Sequence, residues 1–413
     1  MDAVILAAGE GTRLRPLTST RPKPMIPIAG KPILEWDLIA LKEAGFKNVF
    51  LIVGYKKDVI EAHFGDEFLG MSIKYVVQEE QEGTGHAVLL VKEFIKSDSF
   101  LVMNGDLIIS AKTAIDFLKK HRNAKTETSM ALTEIEDPSQ YGIVVLDNHK
   151  VKEIIEKPET DEFGRNANAG IYVFSHQIFE ELEKLKKSKR HEYEVTSAIE
   201  QLISESGVSG FQIADIWIDI GRPWDILHAN EVLMKNLVSL KIDAKAEIEE
   251  FAVLKGEVGV GEGSVVRSGS YIQGPVLIGK NCVVGPNCFI RAYTVLMDDS
   301  NVGNAVEVKN TIIMPKTHVG HLSYVGDSII GVSCNFGAGT KVANLKFDDS
   351  HVNVDVKGEI VSSGRRKMGV IMGDNVKTGI NVSILPGRSI YPGAYVEAGS
   401  IVRNTIYKEP PEE

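Results

Sequence analysis

The sequence has little of what marks secreted, membrane-spanning or nucleic-acid-binding chains. Its 413 residues include only three cysteines, too few and too scattered for a disulfide framework or a zinc site, which favours a reducing compartment. No apolar run approaches the roughly 18 residues of a membrane span, so no membrane association is expected. The first residues show no basic stretch and no cleavage site, so no export signal is expected and a cytoplasmic location is predicted.

Basic side chains are fewer than acidic ones. The chain carries 46 basic and 56 acidic side chains, for a net charge of -10, and no basic run that could follow a phosphate backbone. Nucleic acid is therefore excluded as an expected partner, whereas a local basic pocket for a phosphorylated metabolite is not. With 43% hydrophobic and 25% charged residues the chain has ample material for a folded core. Its length predicts two or three domains at roughly 150 residues each.

Residues 1–236 alternate short β-branched runs with helical patterns. Such alternation predicts a Rossmann-like α/β domain, with a mostly parallel sheet covered by helices on both faces. Ligands bind at the carboxyl ends of parallel strands, so the Gly-rich segment after Leu6 and the turn at Asn104–Asp106 should line one cleft. The plainest strands are Val4–Leu6, Val49–Val53, Phe100–Met103 and Ile171–Phe174.

From about Val258 an aliphatic residue recurs every six positions. The run is unbroken from Val260 to Val308 and continues in three shorter runs, at 313–325, 330–342 and 384–402. A six-residue period fits neither a helix nor an ordinary strand, and it is the signature of a parallel β-helix with three faces per coil. We therefore predict a connecting segment at 237–257 and a left-handed parallel β-helix at 258–407. Loops should leave it near 309–312 and 345–370.

The segment after the first strand holds two glycines, Gly9 and Gly11, followed by Arg13. Glycines allow backbone N–H groups to approach phosphate oxygens, but this spacing matches neither a Walker loop nor a dinucleotide fingerprint. Taken alone, it is as compatible with a structural turn as with a phosphate site. Lys23 lies between Pro22 and Pro24, which hold one cation in a stiff backbone.

Together, the G-x-G-T-R-L-x-P-L-T segment from Gly9 and the P-K-P-M segment from Pro22 resemble the sugar-1-phosphate nucleotidylyltransferases. Members of that family join a sugar 1-phosphate to a nucleoside triphosphate and release pyrophosphate. The resemblance covers residues 1 to about 230. Further matches follow in order at Gln78, Gly83–Ala87, Asn104–Asp106, Tyr141–Gly142, Glu156–Pro158, Asn168–Gly170 and Trp217–Asp219.

The resemblance assigns roles to these residues, including triphosphate contacts from Arg13 and Lys23. The residues that it implies for the nucleotide are Leu6, Ala8, Gly9, Gly11, Gln78 and Gly83. Those that it implies for the sugar and its phosphate are Gly142, Glu156, Asn168 and Lys157. It also implies Mg²⁺ at Asp106 and Asp219. Without the resemblance, Asp106 reads as a turn residue and Asp219 as an ordinary polar position.

A second motif, Gly320–Asp327, lies within the repeats and is followed by Asn335–Thr340 and Asn344. A lone histidine such as His321 is more often structural than catalytic. In this setting, however, the residues resemble the acetyltransferase domain of the bifunctional glucosamine-1-phosphate acetyltransferase and N-acetylglucosamine-1-phosphate uridylyltransferase family. That resemblance implies His321 as general base, a homotrimer, and acetyl-CoA as co-substrate. It implies sugar-phosphate contacts from Arg291 and Lys309, sugar contacts from Tyr324, Asn335 and Asn344, and an acetyl-CoA contact from Ala338.

Three departures from the family pattern bear on the second motif. Leu345 occupies a position where bacterial members have Tyr, and the charged segment Lys346–Met368 is longer than theirs. The chain ends soon after the last repeat, at Lys408–Glu413, without the tail that adds an acetyl-CoA-binding arginine. These departures concern amino-sugar specificity and CoA contacts, and they resemble archaeal members.

Three hypotheses follow. In the first, the enzyme acetylates glucosamine 1-phosphate and then transfers a nucleotidyl group to give UDP-N-acetylglucosamine. In the second, only a glucose- or mannose-1-phosphate nucleotidylyltransferase is active and the β-helix trimerises or regulates it. In the third, the chain is a non-enzymatic subunit, which the presence of Lys23 and Asp106 opposes. The residues leave the choice between UTP and dTTP open, and also that between N-acetylglucosamine 1-phosphate and glucose 1-phosphate.

Overall fold

The computed structural model describes residues 1–188, 191–236 and 238–407. The chain forms two compact units. The first comprises Met1–Glu10, Pro22–Met25 and Ile33–Asp219, and the second comprises Gly11–Arg21, Ile26–Pro32 and Ile220–Glu413. Within the described ranges, no helix is long and apolar enough to cross a membrane.

The first unit is built on a ten-stranded sheet. Four neighbouring strands in it are parallel: Ser99–Asn104, Asp2–Ala7, Asn48–Val53 and Met71–Val77. In spatial order the ten strands are Gly142–Asp147, Lys150–Glu156, Val208–Gln212, Thr128–Glu134, Asn166–Ser175, Ser99–Asn104, Asp2–Ala7, Asn48–Val53, Met71–Val77 and Glu67–Phe68.

Beyond these four strands the expectation of a mostly parallel sheet is wrong, although Val208–Gln212 pairs in parallel with Thr128–Glu134. Asn166–Ser175 runs antiparallel to both of its main neighbours, and Gly142–Asp147 and Lys150–Glu156 form an antiparallel pair. Antiparallel strands can be joined by short turns, whereas parallel strands need a crossover, so the stretch with few helices between residues 128 and 175 forms hairpins instead. The alternation of strands and helices in the sequence therefore predicted only the first part of the sheet.

Helices cover both faces of this sheet, as predicted. Along the first strand Ala3 and Ile5 pack into one apolar cluster and Val4 into another, because successive strand residues point to opposite faces. The helices of the first unit are Ile33–Glu43, Lys57–Phe64, Thr84–Leu89, Ala111–Arg122, Gln177–Lys184 and Val195–Glu205. A separate two-stranded sheet pairs Leu107–Ile109 with Trp217–Asp219.

The second unit contains a parallel β-helix of three sheets, which we call the first, second and third faces. The first face comprises Glu247–Ile248, Val265–Val266, Val283–Val284, Asn301–Asn304, His318–His321, Asn335–Phe336, Lys377–Thr378 and Tyr395–Val396. The second face comprises Val253–Lys255, Tyr271–Gln273, Phe289–Ile290, Glu307–Lys309, Tyr324–Gly326, Lys341–Val342, Ser383–Ile384 and Ile401–Val402. The third face comprises Val258–Val260, Val276–Ile278, Thr294–Leu296, Ile312–Ile313, Ile329–Ile330, Ile371–Met372 and Ser389–Ile390.

The six-residue period corresponds to the interior of this β-helix, so the predicted architecture is confirmed. Every aliphatic position of the four runs belongs to one buried apolar cluster. Corner positions adopt left-handed backbone conformations, which explains why Asn281, Asn287 and Asn381 occupy them, since Asn tolerates positive φ better than most residues.

The β-helix begins earlier than the sequence analysis placed it. Ile248 and Leu254 continue the six-residue spacing ahead of Val260, and their strands pair in parallel with the coil that follows. Part of the predicted connecting segment at 237–257 therefore belongs to the β-helix. The helix before it, Pro223–Asn236, lies in the second unit together with the short hairpin Pro27–Ile28 and Lys31–Pro32.

The loop expected at 345–370 is present, whereas the loop expected near 309–312 is not, because the coil continues there with one residue fewer. Interior positions Val308 and Ile313 are five rather than six residues apart, and Asn310 makes the tighter corner with a φ of 45°. After Val342 the chain leaves the coil, forms the antiparallel hairpin Asn353–Val356 and Glu359–Ser362, and returns at Ile371. We call residues 345–370 the insertion. Residues 408–413, which hold the chain end discussed above, lie outside the described residues.

Stability should depend on the interior column far more than on the insertion hairpin. Ile330 is fully buried, whereas Ile360 is 66% exposed on the hairpin. We expect Ile330→Ala to lower the free energy of unfolding by about 2–5 kcal/mol, and Ile360→Ala to change it by less than about 0.5 kcal/mol. Thermal or urea unfolding of both variants measures this, and equal effects would contradict the interior assignment.

Candidate active sites

A cavity of about 280 Å³ opens in the first unit at the carboxyl ends of the central parallel strands. This is where ligands bind in open α/β sheets. Six residues that the sequence assigned to nucleotide or metal line it: Leu6, Ala8, Gly9, Gln78, Gly83 and Asp106. Asn104 lines it too, as expected for the turn that contains it, and sequence reasoning assigned no role to the other four lining residues: Gln81, Thr84, Ala87 and Glu192.

Close backbone approach shapes this cavity. At Gly83 the φ is 107°, and a Cβ there would lie 2.6 Å from the Tyr193 carbonyl oxygen, so only glycine fits. Gln78 is buried at 5% exposure, and its Nε2 donates to the Gly83 carbonyl at 3.1 Å. The Gln81 Nε2 donates to the Ala8 carbonyl at 3.0 Å. The cavity therefore presents fixed amide groups, which suits recognition of a planar base.

Asp106 lies beside a cation and near a second carboxylate. The Lys23 Nζ contacts the Asp106 Oδ2 at 2.6 Å, and the lysine side chain is only 11% exposed. The register of the two-stranded sheet pairs Asp219 with Leu107, the residue after Asp106, so both predicted metal ligands lie at one end of that sheet. Where the structure describes the chain, no group of three His, Cys, Asp or Glu side chains could hold a metal. Mg²⁺ commonly binds through one or two carboxylates and substrate phosphates, so this pair fits it.

Asp37, on the helix Ile33–Glu43, was missed by sequence reasoning. It is fully buried, and neither carboxyl oxygen has a hydrogen-bond partner among the described residues. Burial first and the Asp106 carboxylate second raise the pKa of Asp37 well above its ordinary value. The raised pKa means that Asp37 keeps its proton to a higher pH than an ordinary aspartate does.

The four residues predicted to bind the sugar and its phosphate lie on adjacent strands. Gly142 pairs with Glu156, and a Cβ at Gly142 would lie 3.0 Å from the Glu156 Oε2. The Asn168 Nδ2 donates to the Tyr172 hydroxyl at 2.8 Å, and its Oδ1 accepts from the Gly170 N–H at 3.0 Å. Lys157 follows Glu156 with a φ of 48°, a conformation that costs energy outside glycine. The structure therefore groups these residues.

Gly11 and Arg13 belong to the second unit. Arg13 lies in the short turn Thr12–Leu14, and Gly11 precedes it with a φ of 67°. The Gly11 carbonyl accepts a hydrogen bond from the Thr18 hydroxyl at 2.9 Å. The turn is thus fixed locally, and the predicted contacts of both residues with the nucleotide remain predictions.

His321 lies on the surface of the β-helix. It ends a strand of the first face, and the exposed Leu322 and the buried Ser323 lead to Tyr324 on the second face. His321 itself is exposed, as a residue that contacts a substrate must be. Its carbonyl accepts from the Ser323 hydroxyl at 2.7 Å and from the Gly339 N–H at 3.1 Å, which fixes its backbone. The imidazole is thus free to meet a substrate.

A buried carboxylate, Asp327, organises the neighbouring corner. It is 2% exposed and accepts from the Lys309 Nζ at 3.4 Å and from the Asn344 Nδ2 at 2.5 Å. Asn344 also donates to the Tyr324 hydroxyl at 3.1 Å. The structure thus brings together Lys309, Tyr324 and Asn344, which the resemblance assigned to one substrate. Asp327 was part of the quoted motif but had no assigned role, although a motif Asp ending a strand is a signal for one.

The other predicted residues of this site lie apart from Asp327. Arg291 pairs with Glu307 at 2.8 Å and lies over the Phe289 ring. Asn335 starts a strand of the first face beside His318. The Ala338 carbonyl accepts from the Asn381 N–H at 2.8 Å. Burial raises the pKa of Tyr324 and the Arg291 charge opposes that rise, so Arg291 lies within electrostatic range of the Asp327 cluster.

Comparison with known proteins gives two family matches. The nucleotidyl transferase family model matches residues 2–236, more than half of the chain. The model described as the GMPPB C-terminal domain matches residues 272–378.

Similar curated proteins span nearly the whole chain. The bifunctional protein GlmU of Methanocaldococcus jannaschii is 48% identical over 98% of this chain and 96% of its own length. The bifunctional sugar-1-phosphate nucleotidylyltransferase/acetyltransferase of Sulfurisphaera tokodaii is 41% identical over 98% of both chains. Among solved structures, a putative glucose-1-phosphate thymidylyltransferase from Bacillus anthracis is 27% identical. It covers 58% of this chain and 98% of its own, with a TM-score of 0.54.

Removing the buried Asp37 carboxyl should stabilise the protein in a pH-dependent way. Because its folded-state pKa is raised, the folded state keeps a proton that the unfolded state releases, so stability falls as pH rises above the ordinary Asp pKa. Asp37→Asn should therefore raise the unfolding temperature more at pH 8 than at pH 4.5. The extra gain should be roughly 3–6 °C for each tenfold by which the folded state binds the Asp37 proton more tightly than the unfolded state. The exposed Asp116→Asn is the control; an equal gain at both pH values would contradict a raised pKa.

Proposed function

Because the chain belongs to the bifunctional sugar-1-phosphate nucleotidylyltransferases/acetyltransferases, we propose that it makes UDP-N-acetylglucosamine at two separate sites. Acetyl transfer from acetyl-CoA to glucosamine 1-phosphate comes first, and nucleotidyl transfer from UTP follows; dTTP is the alternative donor, which would give the corresponding dTDP sugar. The observation that carries this proposal is the presence, in one chain, of two built residue clusters. One is the cavity with Lys23 and Asp106, and the other is the β-helix corner with His321, Tyr324 and Asp327.

At the first site an oxygen of the sugar phosphate attacks the α-phosphorus of the nucleoside triphosphate, and pyrophosphate leaves. Such transfers depend on positioning and charge neutralisation more than on a protein nucleophile. Lys23 supplies a nearly buried cation for the triphosphate. The family resemblance implies the same role for Arg13. Gln78 and Gly83 hold the base, while Glu156, Asn168 and Lys157 hold the sugar and its phosphate.

The carboxylates of Asp106 and Asp219 would hold Mg²⁺ at this site. The ion would neutralise charge on the phosphate oxygens. The Lys23 ammonium lies 2.6 Å from the Asp106 carboxylate, which supports the proposal that this carboxylate faces a cation.

At the second site the amine of glucosamine 1-phosphate attacks the thioester carbonyl of acetyl-CoA. A C–N bond forms, the C–S bond breaks, and the thiolate leaves and is protonated. His321 accepts the proton that the amine loses, a role that suits a neutral imidazole near pH 7. Lys309 and Arg291 would bind the sugar phosphate, Tyr324, Asn335 and Asn344 would contact the sugar, and Ala338 would contact acetyl-CoA.

We extend the proposal to assembly and location. A homotrimer through the β-helix is supported by its exposed apolar side chains, such as Phe251 at 76% and Tyr395 at 74% exposure. A cytoplasmic location is supported by three free, buried cysteines, Cys282, Cys288 and Cys334. N-acetylglucosamine 1-phosphate is the expected acceptor of the nucleotidyl group, with glucose 1-phosphate as the alternative.

Two substitutions should separate the activities. His321→Ala should reduce thiol release from acetyl-CoA and glucosamine 1-phosphate by at least about 100-fold, because general-base catalysis contributes roughly 10²–10⁴-fold. It should leave pyrophosphate release from UTP and N-acetylglucosamine 1-phosphate unchanged. Asp106→Asn should do the reverse.

His318→Ala is a matched control, since His318 begins the same strand. If either active-site substitution stopped both activities in folded protein, the two-site assignment would be wrong. Normal pyrophosphate release with no thiol release in the unsubstituted protein would leave only the nucleotidyl transfer.

A further inference from the structure

A second cavity of about 480 Å³, within the second unit, borders the Asp327 cluster and is strongly basic. Lys309 and the three consecutive residues Arg365, Arg366 and Lys367 line it. Glu231 and Asp327 supply the only carboxylates of the lining, and Arg366 pairs with Asp349 outside it at 2.8 Å, so one of the four cations is left in excess. Such an excess in a concave site attracts an anion.

The insertion holds Arg365 firmly at this cavity. The Arg365 Nη2 donates to the Glu231 Oε1 at 2.7 Å, and about a quarter of each side chain is exposed. The Arg365 N–H donates to the Ser363 hydroxyl at 3.1 Å, and its carbonyl accepts from the Val352 N–H at 2.9 Å. Because the ion pair uses one edge of the guanidinium, other N–H groups stay available to a ligand.

Asn310 adds an unsatisfied acceptor. It is 5% exposed, and its Nδ2 donates to Glu231 and to Asp327, each at 3.0 Å. Its Oδ1 is buried and has no partner among the described residues. A buried polar atom without a partner is costly, so a ligand that supplies a hydroxyl or amine donor would be bound favourably here.

Building on the proposed function, we propose that this cavity binds the phosphate of the sugar 1-phosphate in acetyl transfer, with Arg365 as a phosphate ligand and Asn310 Oδ1 as acceptor from the sugar. A sugar 1-phosphate has both features that would bind in this cavity, because it carries an anionic phosphate and neighbouring hydroxyl or amine groups that can donate hydrogen bonds. Acetyl-CoA also carries phosphate. The cavity shares Lys309 and Asp327 with the cluster that holds Tyr324 and Asn344, and this continuity favours the sugar.

Arg365→Gln in the full chain tests the proposal through the kinetics of thiol release. The Michaelis constant for glucosamine 1-phosphate should rise roughly 10- to 100-fold, which corresponds to one lost hydrogen-bonded contact to a charged group. The Michaelis constant for acetyl-CoA should change less than about twofold. Arg365→Lys should recover part of the loss, and Arg403→Gln, at an exposed arginine outside the cavity lining, is the matched control.

A second variant, Asn310→Ala, distinguishes the contact to the phosphate from the contact to the sugar. Inorganic phosphate should inhibit thiol release competitively against glucosamine 1-phosphate, and Arg365→Gln should weaken that inhibition at least about fivefold. Asn310→Ala should raise the Michaelis constant for glucosamine 1-phosphate about fivefold or more, with a smaller effect on phosphate inhibition, because it removes the contact to the sugar.

An increase confined to the Michaelis constant for acetyl-CoA would overturn the assignment to the sugar, and no change in either constant would overturn the phosphate site. Pyrophosphate release and the thermal unfolding transition report whether each variant folds. If the unsubstituted protein released no thiol, the proposed acetyl transfer would fail. The phosphate site would then be tested by thermal unfolding. If the site is correct, glucosamine 1-phosphate should raise the unfolding temperature of the unsubstituted protein but not that of Arg365→Gln, and equal shifts would overturn it.

Discussion

The burial of one aliphatic side chain in every six residues is the constraint on which the second unit depends. Each of these side chains enters a single apolar column, so the backbone must turn between one interior position and the next. The turns bring polar residues to the corners, where His321, Asn310 and Asp327 lie. A change in the six-residue spacing therefore changes the corner residues at that point. The five-residue step between Val308 and Ile313 creates the corner at Asn310.

At the first site the constraint is electrostatic, because negative charge near the triphosphate must be limited. Asp106 has a lysine 2.6 Å away, and burial first and the Asp106 charge second raise the pKa of Asp37 well above its ordinary value. Asp106 thus lines the cavity with a cation already beside it, and the raised pKa of Asp37 favours its neutral form. This arrangement suits a site that must accept a highly charged triphosphate, because each uncompensated carboxylate near it would oppose binding.

Much of both sites could be predicted from the sequence, for identifiable reasons. The six-residue period and the glycine-rich segment after Leu6 are local patterns, and the interior column and the first cavity match them. The antiparallel half of the sheet was not predicted, because strand direction depends on pairing partners far apart in the chain. Asp37 and Asn310 were not predicted for a similar reason. Each is an ordinary polar residue in the sequence, and only its packing leaves both carboxyl oxygens of Asp37 and the Oδ1 of Asn310 without hydrogen-bond partners among the described residues.

The central claim is that one polypeptide performs both transfers on one sugar. The most direct measurement supplies the purified protein with glucosamine 1-phosphate, UTP, Mg²⁺ and acetyl-CoA labelled in its acetyl group, and follows the label. The account predicts that the label appears in a nucleotide sugar, with thiol and pyrophosphate released in step. Label that stays in acetyl-CoA while pyrophosphate accumulates would contradict it.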